Sequence, residues 1–243
     1  RLAAPDPGQT RDQQTEFGFL LRGLQWTMLL TLVAFVGGCT AGLIVALLRT
    51  SGHKTVELMV RTYIGIFQGT PLLLQLFVVY YGLALVGLKL SAFAAVAIGF
   101  TVNASAFLGE IWRGAIQAVH RGQTEAAMAL GLHYSSRMRD IVLPQAIRIS
   151  LPATIGYLVQ LIKATSLAAI VGFIELARAG QIVSNQTYQP LLVFGVVGAM
   201  YFILCWPLSW WGSRMEARLA LASPREERRT YSITNSHHQE EIL

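Results

Sequence analysis

The stretch Trp26–Leu48, WTMLLTLVAFVGGCTAGLIVALL, decides the fold class because its 23 residues carry no charge. A helix that crosses a bilayer needs about 20 mostly apolar residues. The whole chain agrees with this stretch: its 243 residues are 53% hydrophobic and 13% charged, and the mean hydropathy is +0.49. A soluble domain carries about 25% charged residues, and a disordered chain combines high charge with low hydrophobicity. The composition therefore predicts an all-α membrane protein.

Four further stretches are apolar enough to span a membrane, which gives five predicted transmembrane helices. They are Pro71 to Leu88, Leu90 to Leu108, Ser150 to Phe173 and Leu191 to Trp211. With these spans, 13 Lys and Arg residues fall on one side of the membrane and 5 on the other, and Lys163 lies within a span. The side richer in Lys and Arg is normally cytoplasmic. We therefore expect a multi-pass protein with its N-terminus outside and its C-terminus in the cytoplasm.

The polar ends of the chain define the expected domain limits. Residues 1–22 are predicted to form an outside tail, 23–219 the transmembrane domain and 220–243 a polar cytoplasmic tail. The net charge of +6 is explained by the cytoplasmic loops, so we expect the lipid bilayer and no nucleic acid as a partner. Cys39 and Cys205 lie in apolar runs and form neither a disulfide framework nor a metal spacing. The pair His237–His238 is typical of a solvated tail, and no metal site is expected.

A cytoplasmic loop over residues 112–148 is long and carries helix signals. Gln123–Thr124 is predicted to cap a first helix, and Gly131 suits its C-terminal end. Ser135–Ser136 is predicted to cap a second helix that ends before Pro144. The small side chains of this helix–Gly–helix element let another surface approach closely, which favours docking of a cytoplasmic partner. The alternative is an amphipathic helix that rests on the inner leaflet.

The loop also carries a specific pattern. Glu125–Ala127, then Gly131, then Ile141–Pro144 resembles the EAA signature of bacterial permeases of ATP-binding-cassette (ABC) importers. This resemblance implies the fold of a type I ABC importer permease, in which the loop forms a coupling helix that docks into a groove of the ATPase subunit. The residues that it assigns to coupling are Glu125, Ala126, Ala127, Gly131, Leu143 and Pro144.

Other segments look like the subfamily that takes up polar amino acids, such as histidine, glutamine, arginine, glutamate, cystine and opines. They are Gly69–Leu76, Asn103–Gly114, Leu143–Arg148, Lys163–Leu167 and Arg178–Gln181, and the resemblance extends from about Gly23 to Leu219. The chain departs from the subfamily at two positions. Gln68 stands where Arg is common, and Ala164 stands where an acidic or amide residue usually follows the Lys.

The resemblance implies partners rather than an enzyme activity in this chain. They are an ABC ATPase subunit that holds ATP and Mg²⁺, a second permease (identical or paralogous) and an extracytoplasmic amino-acid-binding protein, all at the bacterial inner membrane. No cofactor is expected in the chain itself. It has no Gly-x-x-x-x-Gly-Lys-Ser/Thr loop and therefore cannot be the nucleotide-binding subunit.

Charged and polar residues inside the spans are candidates for a substrate pathway, because intramembrane charge is expensive. Gly156, Gln160 and Lys163 share one helical face, and Asn103 and Glu110 share another. An amino acid needs a donor for its carboxylate and an acceptor for its ammonium. We expect Lys163, Thr165 and Ser166 to supply the first, and Glu110 and Asn103 the second. The alternatives are a structural ion pair between Lys163 and Glu110, and a Lys163 side chain that snorkels to the membrane boundary.

Gly69–Pro71 predicts an interrupted span. Thr70 suits a helix cap, Pro71 suits a first helical position, and the preceding glycine permits a bend. The free N–H groups at such a helix start attract anions, so the substrate carboxylate is a candidate guest. The alternative is a break that serves packing only. Gln75 is expected to hydrogen-bond either the substrate or the helix.

The outer loop carries one charged pair. Glu175 and Arg178 lie one helical turn apart, where they are expected to pair with each other or to contact a binding protein. An ion-gradient-driven secondary transporter or channel is the main functional alternative, although such folds normally carry internal repeats and none is visible here. A light-sensing protein with a Schiff base on Lys163 is disfavoured by the number of spans.

Overall fold

The computed structural model describes residues 7–50 and 52–222, with side chains for 15–50 and 52–219. These residues form helices joined by short connections. We number the helices α1 Pro7–Arg49, α2 Lys54–Gly69, α3 Leu72–Leu85, α4 Ala92–Ala118, α5 Arg121–Ala129, α6 Tyr134–Val171, α7 Leu176–Thr187 and α8 Pro190–Ala222. Most of the predicted tail 220–243, with His237–His238, and the first six residues of the predicted outside tail lie outside the described residues.

The described residues contain four candidate spans and one bent helix pair, which agrees with the five predicted spans when the pair is counted as one. The helices α1, α4, α6 and α8 are each long and apolar enough to cross a membrane, and α2 with α3 forms a fifth, sharply bent span. The first two spans begin earlier in the chain than the sequence predicts. α1 already begins at Pro7, so part of the predicted N-terminal tail is helical, and the second span begins at Lys54 because the predicted stretch covers only its second arm.

Close packing of α1 against α4 forms the centre of the fold. A Cβ atom added at Gly38 would lie 2.4 Å from the Cβ of Ala104, and one added at Gly42 would lie 3.2 Å from the backbone N of Gly109. Small residues at this spacing let two helices approach closely in a membrane, where lipid gives no hydrophobic drive for their association. Phe100, which is fully buried, lies in the core that the two helices share with α3 and α6.

The helix α6 passes through Pro144 without ending, which corrects the prediction that a second loop helix stops there. It begins at Tyr134 with His133 at its N-cap, so Ser135–Ser136 does not cap it. A π-helical turn at Met138–Val142 precedes the proline. Because proline has no N–H to donate and crowds the preceding turn, a wider turn there allows the helix to continue. The second predicted helix of the loop and the fourth span therefore form one continuous helix, α6.

Candidate functional site

The second span is interrupted at Thr70 and Pro71, as predicted. Both residues leave the helical conformation, with ψ angles of 142° and 132°, and α2 and α3 meet at 104°. The predicted cap by Thr70 is wrong, because its hydroxyl donates to Ile66 O at 2.7 Å and closes α2. Gly69 does not have a positive φ, so the bend does not depend on glycine.

Two buried amides complete the broken helix. The Nε2 of Gln75 donates to Phe67 O at 2.8 Å and to Thr70 O at 3.1 Å, which are carbonyls left without helical partners at the end of α2. The Nδ2 of Asn103, on α4, donates to the Oε1 of Gln75 at 3.0 Å and to Phe67 O at 3.4 Å. The hydroxyl of Tyr157, on α6, donates to the Oδ1 of Asn103 at 3.2 Å. These contacts give both amides hydrogen-bond partners inside the protein.

Glu110 belongs to a different arrangement. Its carboxylate accepts from Arg113 one turn further along α4, with Nε to Oε2 at 2.8 Å, and Arg113 also contacts Gln117. The alternative of a structural ion pair between Glu110 and Lys163 is therefore wrong for the described residues. Among the described residues, Lys163 has no ion pair within 4.0 Å. The i, i+3 spacing of Glu110 and Arg113 is the sequence signal that predicts the observed pair.

One face of α6 is open in the single chain. Gly156, Gln160 and Lys163 are all exposed along it, as the spacing predicts. Thr165 does not belong to this face: it is fully buried, and its hydroxyl donates to Ile162 O at 2.7 Å. Ser166 is half-buried and donates to the backbone oxygen of Lys163 at 2.8 Å. The structure thus brings Gln160 and Lys163 together and separates them from the buried network at the helix break.

The loop helix α5 has a well-defined start and end. It begins at Arg121 after His120, whose Nδ1 accepts from the backbone N of Gly122 at 3.1 Å, so the predicted cap at Gln123–Thr124 is wrong. Its end is a Schellman motif: Gly131 N donates to Met128 O at 2.9 Å, and Leu132 N donates to Ala127 O at 3.0 Å. The φ of Gly131 is +73°, which confirms the predicted glycine end of the helix.

The surface of α5 is largely exposed and partly apolar. Glu125 and Ala126 are exposed, and the side chains of Met128 and Leu130 are 52% and 80% exposed. An open cleft of about 560 Å³ separates α5 from the end of α4; it is lined by Ile116, Gln117, Val119, Arg121, Thr124, Glu125 and Met128. A small apolar cluster of Ala115, Val119, Val142 and Ala146 joins the end of α4 to the start of α6 beneath the loop. The arrangement fits an element that projects from a fixed base.

At the opposite end of the bundle, Glu175 is fully buried, which corrects its expected place in a surface pair with the Arg178 side chain. Its carboxylate accepts from the backbone N of Ala177 and of Arg178, each at 2.8 Å, and from the hydroxyl of Tyr201 at 2.9 Å. Desolvation by burial raises the pKa of Glu175 above its ordinary value, although these donors favour the charged form. The Oγ1 of Thr27 accepts from Leu176 N at 3.1 Å, so the junction ties α1, α7 and α8 together.

Three features of the structure were not predicted from the sequence, each for a different reason. Glu175 immediately before α7 is an acidic N-cap, a signal that sequence reasoning can use. The hydroxyl of Tyr157 gave no signal, because the residue lies outside the polar face of Gly156, Gln160 and Lys163. The cap by His120 is unusual, since Ser, Thr, Asp and Asn are the preferred residues there.

A bent second span, an open polar face and a projecting loop helix together define a membrane-embedded transport component. Residues 38–220 match the family described as binding-protein-dependent transport system inner membrane component, and the chain belongs to that family. It is 36% identical over 189 residues to the probable amino-acid ABC transporter permease protein YckA of Bacillus subtilis, covering 78% of this chain and 84% of that protein.

Two further comparisons agree with this assignment. The chain is 33% identical over 202 residues to the putative glutamine transport system permease protein GlnP of Rickettsia felis, covering 83% of this chain and 93% of that protein. Among solved structures, it resembles a chain in the crystal structure of an amino acid ABC transporter with histidines. The TM-score is 0.79 and the identity 33%, with 88% of this chain and 99% of that chain covered.

Proposed function

We propose that this chain is the membrane subunit of an ABC importer that takes up a polar amino acid with energy from ATP hydrolysed in a separate subunit. Family membership and relatives described as amino-acid or glutamine permeases support the transport class. The observation that carries the proposal is α5: a short helix with an exposed, partly apolar surface that is joined directly to two membrane spans.

The helix α5 acts as the coupling element. Its exposed residues Glu125 and Ala126 contact a groove of the ATPase, while Ala127, which is 1% exposed, holds the helix against its base. Gly131 ends the helix so that the chain turns into α6 within a few residues. Leu143 and Pro144 follow the π-helical turn, where α6 enters the transmembrane region. A movement of the ATPase thus reaches α4 and α6 without an intervening flexible linker.

The loop end of the bundle is cytoplasmic in this proposal. The sequence assignment puts 13 Lys and Arg residues on the side of this loop and 5 on the other, which supports this orientation. The opposite end, with Glu175 and α7, then lies outside and receives the amino-acid-binding protein. This orientation places the N-terminus outside and the C-terminus in the cytoplasm of a bacterial cell.

The open face of α6 lines the pathway. Lys163 is exposed there without an ion pair among the described residues, and its ammonium is suited to hold the substrate carboxylate. Gln160 on the same face supplies a further donor and acceptor, and Ser166 borders it. An exposed charge in a transmembrane helix needs a polar environment, so we infer that a second permease, identical or paralogous, closes the pathway opposite this face.

The remaining predicted contacts have secondary roles. Thr70 is exposed at the helix break, where it can line the pathway, whereas Gln75 and Asn103 contribute by holding the break. Glu110 is neutralised by Arg113, so it attracts a substrate ammonium less strongly than a free carboxylate. Thr165 supports the end of α6 from within the core rather than touching the substrate.

Transport in proteoliposomes tests this function. The chain is purified with its ATPase and second permease, reconstituted with ATP inside, and supplied with the binding protein and labelled amino acids outside. We expect uptake that requires ATP and is abolished by vanadate. Uptake driven by an imposed ion gradient without ATP indicates a secondary transporter and contradicts the proposal.

Coupling through α5 is tested by charge reversal. Glu125→Lys and Gly131→Arg are expected to abolish co-purification of the ATPase, because the first reverses a charge on the exposed docking surface and the second adds a charged side chain to that surface as well as the strain of a positive φ. Lys89→Glu reverses an exposed charge at the other end of the bundle and serves as the control. Wild-type ATPase binding and transport by both α5 variants would refute the coupling role.

A further inference from the structure

A chain of hydrogen bonds connects the helix that leaves the coupling loop to the break in the second span. We propose that Asn103 and Tyr157 are positioning residues that make the break between α2 and α3 move together with α6 during transport. This inference rests on the proposed function, since it concerns how a displacement that begins at α5 reaches the pathway.

Asn103 is the junction of this chain. Its Oδ1 accepts from the hydroxyl of Tyr157 at 3.2 Å, while its Nδ2 donates to Gln75 Oε1 at 3.0 Å and to Phe67 O at 3.4 Å. Asn103 is 6% exposed, and Gln75 is 8% exposed. Through one side chain, α6 is therefore connected to the end of α2 and to the start of α3.

The break makes these bonds hard to exchange. The carbonyls of Phe67 and Thr70 at the end of α2 are satisfied by the amide of Gln75. Gln75 and Asn103 are buried, and a buried polar group left without a partner costs about 1–3 kcal/mol. The side-chain amides of Gln75 and Asn103 therefore bond the backbone at the end of α2, and these bonds stabilise both the amides and the interrupted helix. The two helix ends and the two amides behave as one mechanical unit.

Tyr157 connects that unit to α6. Its ring stacks on Phe107 of α4, with centroids 5.5 Å apart and an interplanar angle of 21°, so Tyr157 packs against α4 as well as hydrogen-bonding to it. A hydrogen bond already at 3.2 Å tolerates little further lengthening. A displacement of α6 by about one ångström therefore either carries the break with it or breaks this bond, and breaking it leaves a buried hydroxyl unsatisfied.

Tyr63 provides a matched control. Its hydroxyl also lies at the surface of α4, where it donates to Val102 O at 3.1 Å and lies 2.6 Å from the Oγ of Ser105. It connects α2 to α4, and within the described part of the chain no hydrogen bond joins it to α6. Tyr63→Phe and Tyr157→Phe thus remove the same atom from the same kind of interhelical contact, and only the second cuts the connection to α6.

The experiment measures two rates on the assembled transporter in proteoliposomes: ATP hydrolysed and amino acid imported. Their quotient, amino acid imported per ATP, is expected to fall about fivefold in Tyr157→Phe and to stay within about twofold of wild type in Tyr63→Phe. The fivefold factor corresponds to about 1 kcal/mol, the net value of one hydrogen bond. A purely structural role lowers yield and both rates together and leaves the quotient unchanged.

Asn103→Asp provides a second cut in the same chain. Its carboxylate still accepts from Tyr157, but it no longer donates to Gln75 or to Phe67 O, so the same loss of coupling is expected. The positioning role is overturned if the quotient is unchanged in whichever of the two variants assembles, or if Tyr63→Phe lowers it equally. A wild-type complex that imports nothing with ATP would instead refute the proposed function itself, and this inference with it.

Discussion

The contact between Gly38 and Ala104 gives the most direct prediction about stability. An alanine Cβ at position 38 would lie 2.4 Å from the Cβ of Ala104, which is fully buried in α4. Ordinary van der Waals contact of a Cβ atom begins at about 3.4 Å. Since each Cβ is bonded directly to a helical backbone, no side-chain rotation relieves the overlap. We therefore expect Gly38→Ala to push α1 and α4 apart by about 1 Å.

The cost follows from what this separation undoes. Overpacking a well-packed core by one methyl group costs about 1–3 kcal/mol. The neighbouring contact of Gly42 with Gly109 loosens at the same time, because both glycines lie on the same face of α1. For a chain of this size, 1–3 kcal/mol lowers the Tm by roughly 2–12 °C.

Thermal unfolding of the purified protein in detergent measures this loss. Gly198→Ala is the control, since a Cβ added there meets no atom within 4 Å. The double variant Gly38→Ala with Ala104→Gly moves the methyl group from one helix to the other, and we expect it to regain most of the lost stability. If Gly38→Ala unfolds at the temperature of Gly198→Ala, or the double variant is no more stable than the single one, the packing argument is wrong.

Three other changes have expected outcomes. In Gly131→Ala a side chain is placed at a φ of +73°, and the resulting backbone strain of about 1 kcal/mol should lower the affinity for the ATPase about fivefold. An added Cβ meets no atom within 4 Å there, so the strain is the main effect. Gly114→Ala is the control, because Gly114 is helical and equally open, and its affinity should not change. Lys163→Met should abolish amino acid uptake and Lys163→Arg should retain part of it, measured in proteoliposomes. Wild type should lose stability as the pH rises from about 4.5 through the raised pKa of Glu175, because ionising this carboxyl costs more free energy in the folded state than in the unfolded state. In Glu175→Gln, the Tm should depend less on pH over the same range.

Periodicity and turn chemistry predicted much of the architecture. Five spans, the interruption near Thr70 and the end of α5 at Gly131 each depend on local properties: apolar length, the backbone limits of proline and the freedom of glycine. Each of these properties acts within a few residues of the chain. The same reasoning did not predict that α6 continues through Pro144, because no single residue signals the π-helical turn at Met138–Val142 that accommodates the proline.

The site was less predictable, because pairing is decided by which helices meet. Glu110 pairs with Arg113, one turn away on the same helix, rather than with Lys163 on another helix. Glu175 was expected at the surface because carboxylates usually are, yet it lies where α1, α7 and α8 converge. The sequence predicts on which face of a helix a residue lies, but not which other helix packs against that face.

Several buried polar residues, within the spans and at the connection before α7, complete the backbone. Gln75 and Asn103 satisfy carbonyls at the end of α2, and Glu175 accepts from two N–H groups at the start of α7. The bilayer forces this use, because every interruption of a helix exposes groups that lipid cannot bond. A polar residue within a span is thus as much a sign of broken backbone as of a substrate. Lys163, whose ammonium makes no hydrogen bond or ion pair among the described residues, has no such duty and is therefore the strongest candidate for contact with the transported molecule.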